Sequence, residues 1–347
     1  MAVVDRALSD PLERALAPID RVRVRLLRAT MPISSRLAGT RDLRVGVIGV
    51  SVVIVALLAS LLAPLWMLAL GPIVLGVPHL LADLRYCVVR PGWHRDRRLW
   101  LTAGVPLFAV GVGAPLEVGL LGVAASALVI DGGAARRIAV VAAALGLAVG
   151  ARALGVTADL IFAHAHNFVA VGLWAAWRPR EGKLHLAVLA TFVLVSLGLT
   201  LGLGDFVWSA GLAAGIPAGL DARTHVATLA PTLHDPWALR VVLLYCFAQS
   251  VHYGVWLRLV PEDDRDRPTP RTFRASYRAL CGELSPWVLG LFTLAAIGLA
   301  IWACVDLTQA RTGYLRFARF HGVLELMAAG LLIVGGRRII SPPRATS

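Results

Sequence analysis

The length of its apolar runs limits this chain more than any other feature. A helix rises about 1.5 Å per residue, so crossing the roughly 30 Å hydrocarbon core of a bilayer takes about 20 mostly apolar residues. Runs of this kind stand at 45–63, 65–84, 99–114, 116–134, 138–155, 159–177, 184–203, 237–257, 284–305 and 319–336. Hydrocarbon offers no water to backbone amides, so each run must close its hydrogen bonds within a helix. The expected fold is an all-α, polytopic transmembrane helical bundle of about ten spans. Composition agrees. Hydrophobic residues make up 58% of the 347 and charged residues 16%, against about 45–50% and about 25% in soluble domains. Those proportions exclude a soluble enzyme, a disordered chain and a disulfide scaffold.

The net charge is +13. In a soluble protein that would point to nucleic acid. Here most arginines stand in short loops between apolar runs, where they signal topology and attract anionic lipid. The expected partner is therefore the lipid bilayer, with no nucleic acid. Clusters lie at 85–98, Arg136–Arg137, Arg178–Lys183, 258–278 and Arg337–Arg338. Placing these clusters and the N-terminus in the cytoplasm makes ten spans alternate with both termini inside. The glycine-interrupted run 205–220 then belongs to a long external segment, 204–236, as a partly buried hairpin. Arg152, Arg240, Arg311, Arg316 and Arg319 fall on the predicted outside, against the rule. Trp66, Trp100, Trp174, Trp177, Trp237, Trp256, Trp287 and Trp302 lie near span ends, as an interfacial belt would place them.

Residues 1–43 read as a cytoplasmic basic amphipathic segment, 44–339 as the bundle and 340–347 as a short cytoplasmic tail. Val4, Leu8, Leu12, Leu16, Ile19, Val22 and Leu26 recur at helical steps. Such a helix either lies on the membrane surface or packs on the bundle's own loops. No cleavable signal peptide is expected. Cys87, Cys246, Cys281 and Cys304 form no C-x-x-C pair and read as free thiols. The run from Val260 to Arg267 reads as a solvated charged loop.

An ionisable residue inside a span costs about 2.5–3.5 kcal/mol on insertion scales and is a functional candidate by default. Four spans each supply histidine: His79, His164 with His166, His252 and His321. Neutral imidazole suits Fe, Zn, Cu or Ni, and facing helices of a bundle are a known place to hold a metal. His79 with Asp83, and His321 with Glu325, stand at i, i+4 and so share a helix face. Each carboxylate either ligates directly or holds a histidine N–H. His164 and His166 point roughly 200° apart, given 3.6 residues per turn, so one of them at most faces a central site on a regular helix. His164 shares its face with Asn167 and is the preferred ligand, with His166 and Gln249 in supporting places. Counting from the flanking arginines on straight helices, His79 and His252 differ in depth from His164 and His321 by roughly 12–15 Å. That difference leaves open one polar site or two.

Gly76-Val77-Pro78-His79, followed by Asp83, resembles the G-x-P-H-G-x-x-D motif of the Brp/Blh-like bacterial membrane β-carotene 15,15′-dioxygenases. Tyr245-Cys246-Phe247-Ala248-Gln249-Ser250, followed by His252, looks like that family's late aromatic-Cys-Phe, Ser and His segment. The chain departs from the pattern at Leu80, which replaces a glycine, and at Gln249, which stands where the family has histidine. It has no H-F-G-x-x-D segment around His164. The resemblance implies an iron (Fe2+) centre with His79 and His252 as ligands, completed from His164 and His321. It also implies an oxygenase in a bacterial inner membrane acting on an apolar, carotenoid-like small molecule.

Two other classes compete with the metalloenzyme. Intramembrane His, Asp and Glu also form proton relays in transporters and channels. Interhelical hydrogen bonding alone also accounts for histidines in a non-catalytic scaffold. Protein partners are not specified by anything in the chain.

Overall fold

The computed structural model describes residues 2–31, 33–177, 180, 182–209, 216–265 and 269–336. The tail 340–347, Arg337–Arg338, Arg178 and part of the expected hairpin fall outside the described residues. Among those described there is helix throughout and no strand. The principal helices, in chain order, are α1 (Ala2–Ala29), α2 (Ile33–Gly39), α3 (Arg41–Leu62), α4 (Pro64–Asp83), α5 (Val105–Gly111), α6 (Leu116–Val129), α7 (Ala134–Leu154), α8 (Val156–Trp177), α9 (Leu184–Thr200), α10 (Ala222–Leu229), α11 (Trp237–Gly254), α12 (Phe273–Val305) and α13 (Leu307–Gly335).

Among the described residues seven helices are long and apolar enough to cross a membrane: α3, α4 extended to Val89, α7, α8 (Val156–Ala176), α11 extended to Asp263, α12 and α13. The apolar helices α6 and α9 are shorter, with 14 and 17 residues. The run 99–114 is divided into a π-helical turn, Trp100–Gly104, and the seven residues of α5. The α12 helix is kinked at Ser285, at φ 63°, the residue before Pro286, where the proline ring disfavours the α region.

Four helices form a ring that positions everything below. α4 packs on α11 and α13, and α8 packs on the same two. Glycine makes two of these contacts possible. A Cβ on Gly76 would stand 2.5 Å from the Tyr314 hydroxyl, and one on Gly322 would stand 2.9 Å from the Phe162 ring and 3.3 Å from His166 Cβ. The absent side chains let α13 approach α4 at one level and α8 at another. Pro72 and Pro78 do not break α4, which runs unbroken from Pro64 to Asp83.

One end of the bundle carries a layer of buried ion pairs. Glu262 accepts from Arg44 at 2.8 Å, Arg265 at 2.6 Å and Arg258 at 3.3 Å. Asp263 accepts from Arg180 and from Trp174 Nε1, each at 2.7 Å, and Asp264 pairs with Arg90. The run expected as a solvated loop is therefore corrected. Glu262, Asp263 and Asp264 are buried, because arginines from several helices converge on them and satisfy their charge. Trp174 and Trp256 are also corrected, since both are fully buried hydrogen-bond donors and not belt residues.

At the opposite end three of the five anomalous arginines have local acidic partners. Arg240 bonds Asp205 at 2.6 Å, Arg319 bonds Asp159 at 2.7 Å and Arg152 lies 3.8 Å from Glu117. A paired arginine carries little topological weight, which accounts for their placement. The α1 helix packs on the start of α12. Asp20 accepts from the Phe273 and Arg274 amides at 2.8 and 3.2 Å, and Arg278 bonds Glu13 at 3.0 Å. Of the two expectations for this helix, these bonds correspond to packing on the bundle's own loops.

Candidate metal centre

The ring of four helices encloses a histidine cluster. His79 comes from α4, His252 from α11, and His321 with Glu325 from α13. One ligand atom of each lies within 4.8 Å of every other, and all four residues are buried. His79 Nε2 and His252 Nε2 are 2.9 Å apart. His252 Nε2 is 3.4 Å from Glu325 Oε1. Ligands at right angles around a metal about 2.1 Å away stand about 3.0 Å apart, and opposite ligands stand about 4.2 Å apart. The shorter separations match neighbouring ligands of one ion. The longest closes with side-chain shifts of a few tenths of an ångström each.

The orientation of the rings fits the same purpose. His321 donates from Nδ1 to the Ala318 carbonyl, which leaves its Nε2 lone pair toward the group. Metal-binding histidines are commonly fixed this way, by an N–H to a backbone carbonyl or carboxylate. Trp256 Nε1 donates to Glu325 Oε1 at 2.6 Å and holds that carboxylate in place. Sequence reasoning missed Trp256. Its signal was the i, i+4 relation to His252, which puts both on one face of the helix.

Several polar atoms in this cluster have no hydrogen-bond partner: Asp83 Oδ1, Glu325 Oε2 and the Nδ1 atoms of His79 and His252. Leaving a buried polar group unsatisfied costs about 1–3 kcal/mol, and the two orphaned carboxylate oxygens beside three imidazoles belong to a donor set able to hold a cation. Asp83 Oδ2 lies 3.1 Å from His79 Nε2. The carboxylate thus sits at the edge of the ligand atoms and does not hold the far nitrogen of the ring.

Of the two α8 histidines, His166 is the one beside the cluster. Its ring centroid is 5.2 Å from that of His252 and 5.1 Å from that of His321. Its Nδ1 donates to the Phe162 carbonyl at 3.3 Å. His164, the preferred ligand on sequence grounds, points elsewhere and donates from Nε2 to the Leu229 carbonyl at 2.9 Å. The cause is the close approach at Gly322, which turns the His166 face of α8 toward α13. Asn167 donates to the Ala163 carbonyl at 3.2 Å and Gln249 to the Tyr253 hydroxyl at 3.3 Å.

The expected depth difference also disappears. Arg85 and Arg258 do not mark the ends of their helices, because π-helical turns, Leu84–Val89 and Val255–Leu259, carry both helices onward. Each turn begins within five residues of a site histidine. Such turns recur at functional sites.

Two cavities flank α13. One, of about 190 Å3, is lined by His166, His252 and His321 with Asn167, Gln249 and three tyrosines, and it reaches the Asp159–Arg319 pair. The other, of about 480 Å3, is almost wholly apolar and includes Trp100, Phe108, Phe320 and Leu324. Trp100 and Phe108 are exposed, so this cavity faces the surroundings of the bundle. Phe320 and Leu324 each precede a cluster residue by one position.

Comparison with protein-family models, with curated proteins and with solved structures finds no match for this chain. Its functional class rests on the geometry: a multi-helix, membrane-type protein with a buried His/Glu group able to hold a metal ion.

Proposed function

We propose that this protein is an integral-membrane metalloenzyme in which His79, His252, His321 and Glu325 hold one iron ion, with Asp83 and His166 at its edge. The observation that carries this reading is the convergence of four buried ligand atoms within 4.8 Å. The resemblance of the Gly76–Asp83 segment to the Brp/Blh-like dioxygenases supports iron, an oxygenation and a carotenoid-like substrate. Iron in such a site supplies activation of O2. The chain's own residues fix the ligand orientations through Trp256 and the Ala318 carbonyl, and bury the reacting centre away from bulk water. The apolar cavity behind Phe320 and Leu324 supports an apolar reactant taken from the lipid. In the same reading the chain makes ten passes in a bacterial inner membrane, with α6, α9 and the 99–111 segment as its shorter crossings. The arginine-rich end bearing Glu262 lies on the cytoplasmic side, as the positive-inside rule requires.

The test is elemental analysis of the detergent-purified protein beside a variant with His79→Ala and His252→Ala. Near-stoichiometric iron in the wild type that is absent from the variant supports the reading. No metal in either, with the variant still folded, refutes it. His164→Ala is expected to keep the metal and His166→Ala to weaken its retention.

A second reading, a proton-coupled transporter, is favoured by one observation. The polar cavity connects His252 and His321 with Asp159 and Arg319, an arrangement suited to a relay. Proteoliposome proton-flux measurements, unchanged by metal removal, would support it over the enzyme.

A further inference from the structure

Between α1 and the start of α12 lies an open groove of about 470 Å3 that neither reading uses. Arg21, Arg25 and Arg28 line it from α1, and Arg274 and Arg278 from α12. On each helix the spacing is three or four residues, so each set forms a row along one face. The three arginines of α1 are exposed, and among the described residues none of them has an acidic partner. Arg278 bonds Glu13 at 3.0 Å, and Arg274 lies 3.8 Å from the same carboxylate. The Nε of Arg274 has no hydrogen-bond partner.

The nearby acids are already engaged. Asp20 lines the groove but accepts from the Phe273 and Arg274 amides at the start of α12, and Glu13 serves Arg274 and Arg278 together. Like charges four apart on a helix repel, and here two such rows share one groove. An anion seated between them removes that repulsion. Phosphate suits the place, because its oxygens accept paired N–H bonds from the guanidinium fork. Three arginines without an acid call for more than one phosphate. The rest of α1 indicates the side from which the ligand comes. Leu12, Ile19 and Leu26 recur at steps of seven and are 54%, 48% and 62% exposed. At 100° per residue this stripe stands roughly 150° around the helix from the arginine row. An apolar stripe is the side that lipid covers, so the arginine row opens toward water.

We infer that the groove between α1 and α12 is a binding site for a soluble oligophosphate, a water-borne molecule carrying two or more linked phosphate groups. The α1 row and the α12 row grip it from two sides, so the ligand ties the N-terminal helix to the bundle. The inference stands apart from the metal reading, because no residue of the groove belongs to the histidine cluster.

The test is isothermal titration of the full-length protein, purified in an uncharged detergent, with tripolyphosphate and, separately, with inorganic phosphate and the tricarboxylate citrate. Saturable binding of tripolyphosphate is expected in the wild type, with the other two at least about tenfold weaker, the scale of one charged hydrogen-bonded contact. Arg21→Gln with Arg25→Gln should weaken tripolyphosphate by at least about the same factor. Both side chains are exposed, so this variant should keep its circular dichroism and melting temperature. Arg28→Gln, in the last turn of α1, should show a smaller loss and decides the matter should the double variant fail to fold. Arg95→Gln with Arg97→Gln removes the same charge from exposed positions outside the groove and should leave binding unchanged. Chelation of a buried ion would be equal in all these proteins, so dependence on the groove arginines reports the groove. Dihexanoyl phosphatidylglycerol, below its micelle concentration, should not displace tripolyphosphate. No binding by the wild type, equal binding of phosphate or citrate, or an equal loss in the Arg95/Arg97 control would each overturn the inference. Displacement by phosphatidylglycerol would overturn it too, and would give the groove to a lipid head group.

Discussion

Replacing Gly76 with alanine tests the link between a backbone contact and the cluster. The new Cβ would stand 2.5 Å from the Tyr314 hydroxyl and 2.8 Å from its Cε1, where ordinary contact begins at 3.4 Å. Relief takes more than about 0.9 Å of movement at the α4–α13 contact, because the Tyr314 Cζ lies closer still. Tyr314 is 7% exposed, so its ring has little room to swing, and part of that movement falls on the helices themselves. His79 stands one turn beyond Gly76 and its ring lies 4.6 Å from that of His321, centroid to centroid. Metal-ligand distances tolerate about 0.2 Å, so a shift several times larger disassembles the group. The expected cost is about 1–3 kcal/mol of overpacking, offset by up to about 1 kcal/mol from the helix propensity of alanine, with a tenfold or greater loss of metal affinity. Thermal unfolding and chelator competition measure the two effects. Gly172→Ala is the control, because a Cβ there meets nothing within 4 Å; it should be neutral or stabilising. Tyr314→Leu in the Gly76→Ala background removes the obstructing ring and should restore both quantities in part. If Gly76→Ala melts like Gly172→Ala and keeps its metal, the steric reasoning fails.

Two further outcomes follow from buried hydrogen bonds. Trp256→Phe removes the 2.6 Å bond to Glu325 and should lower metal affinity about 10–100-fold, the usual effect of losing an outer hydrogen bond to a ligand; chelator competition measures it, with secondary structure unchanged by circular dichroism. Glu262→Gln leaves Arg44 and Arg265 facing a neutral group in a buried layer and should destabilise by about 3–5 kcal/mol, whereas Asp205→Asn at the exposed Arg240 pair should leave the melting temperature nearly unchanged at neutral pH. Arg240 holds the Asp205 carboxyl below its ordinary range; a lowered folded value means that any contribution of this pair is present above the unfolded pKa and fades as pH falls through the lowered one.

Much of this architecture is legible in the chain because hydrocarbon leaves a backbone few options. Among the described residues the ten expected spans are largely helical, and of the residues that are expensive in a span His79, His252, His321 and Glu325 converge while His164 does not. What escapes the sequence is three-dimensional. The arginines invite a depth count, yet Arg85 bonds Glu283 at 2.7 Å inside a helix that continues past it, so the count measures nothing. The choice between His164 and His166 depends on which face of α8 meets α13, and that is set by the missing side chain of Gly322, some 150 residues away. The acids at 262–264 look solvated because Arg44, Arg90 and Arg180, which help bury them, lie far away in the sequence. Trp256 looks interfacial because nothing local reveals that its indole N–H meets Glu325.

The α13 helix resolves the competing functions into a question about its three faces. Phe317, Phe320, Leu324, Met327 and Leu331 recur at steps of three and four and line the apolar cavity. Tyr314, Ala318, Arg319 and Gly322 line the polar one. His321 and Glu325 stand between, on the face that completes the cluster. A metal held there has an apolar wall one residue away on one side and a hydrogen-bonding cavity on the other. An oxygenase of lipid-soluble compounds needs both, with the apolar reactant arriving past Phe320 and the polar one through the tyrosines. A proton relay needs only the polar side and gives no account of a 480 Å3 apolar cavity packed against the same helix. The apolar cavity, more than the histidines themselves, therefore separates the two readings and favours the enzyme.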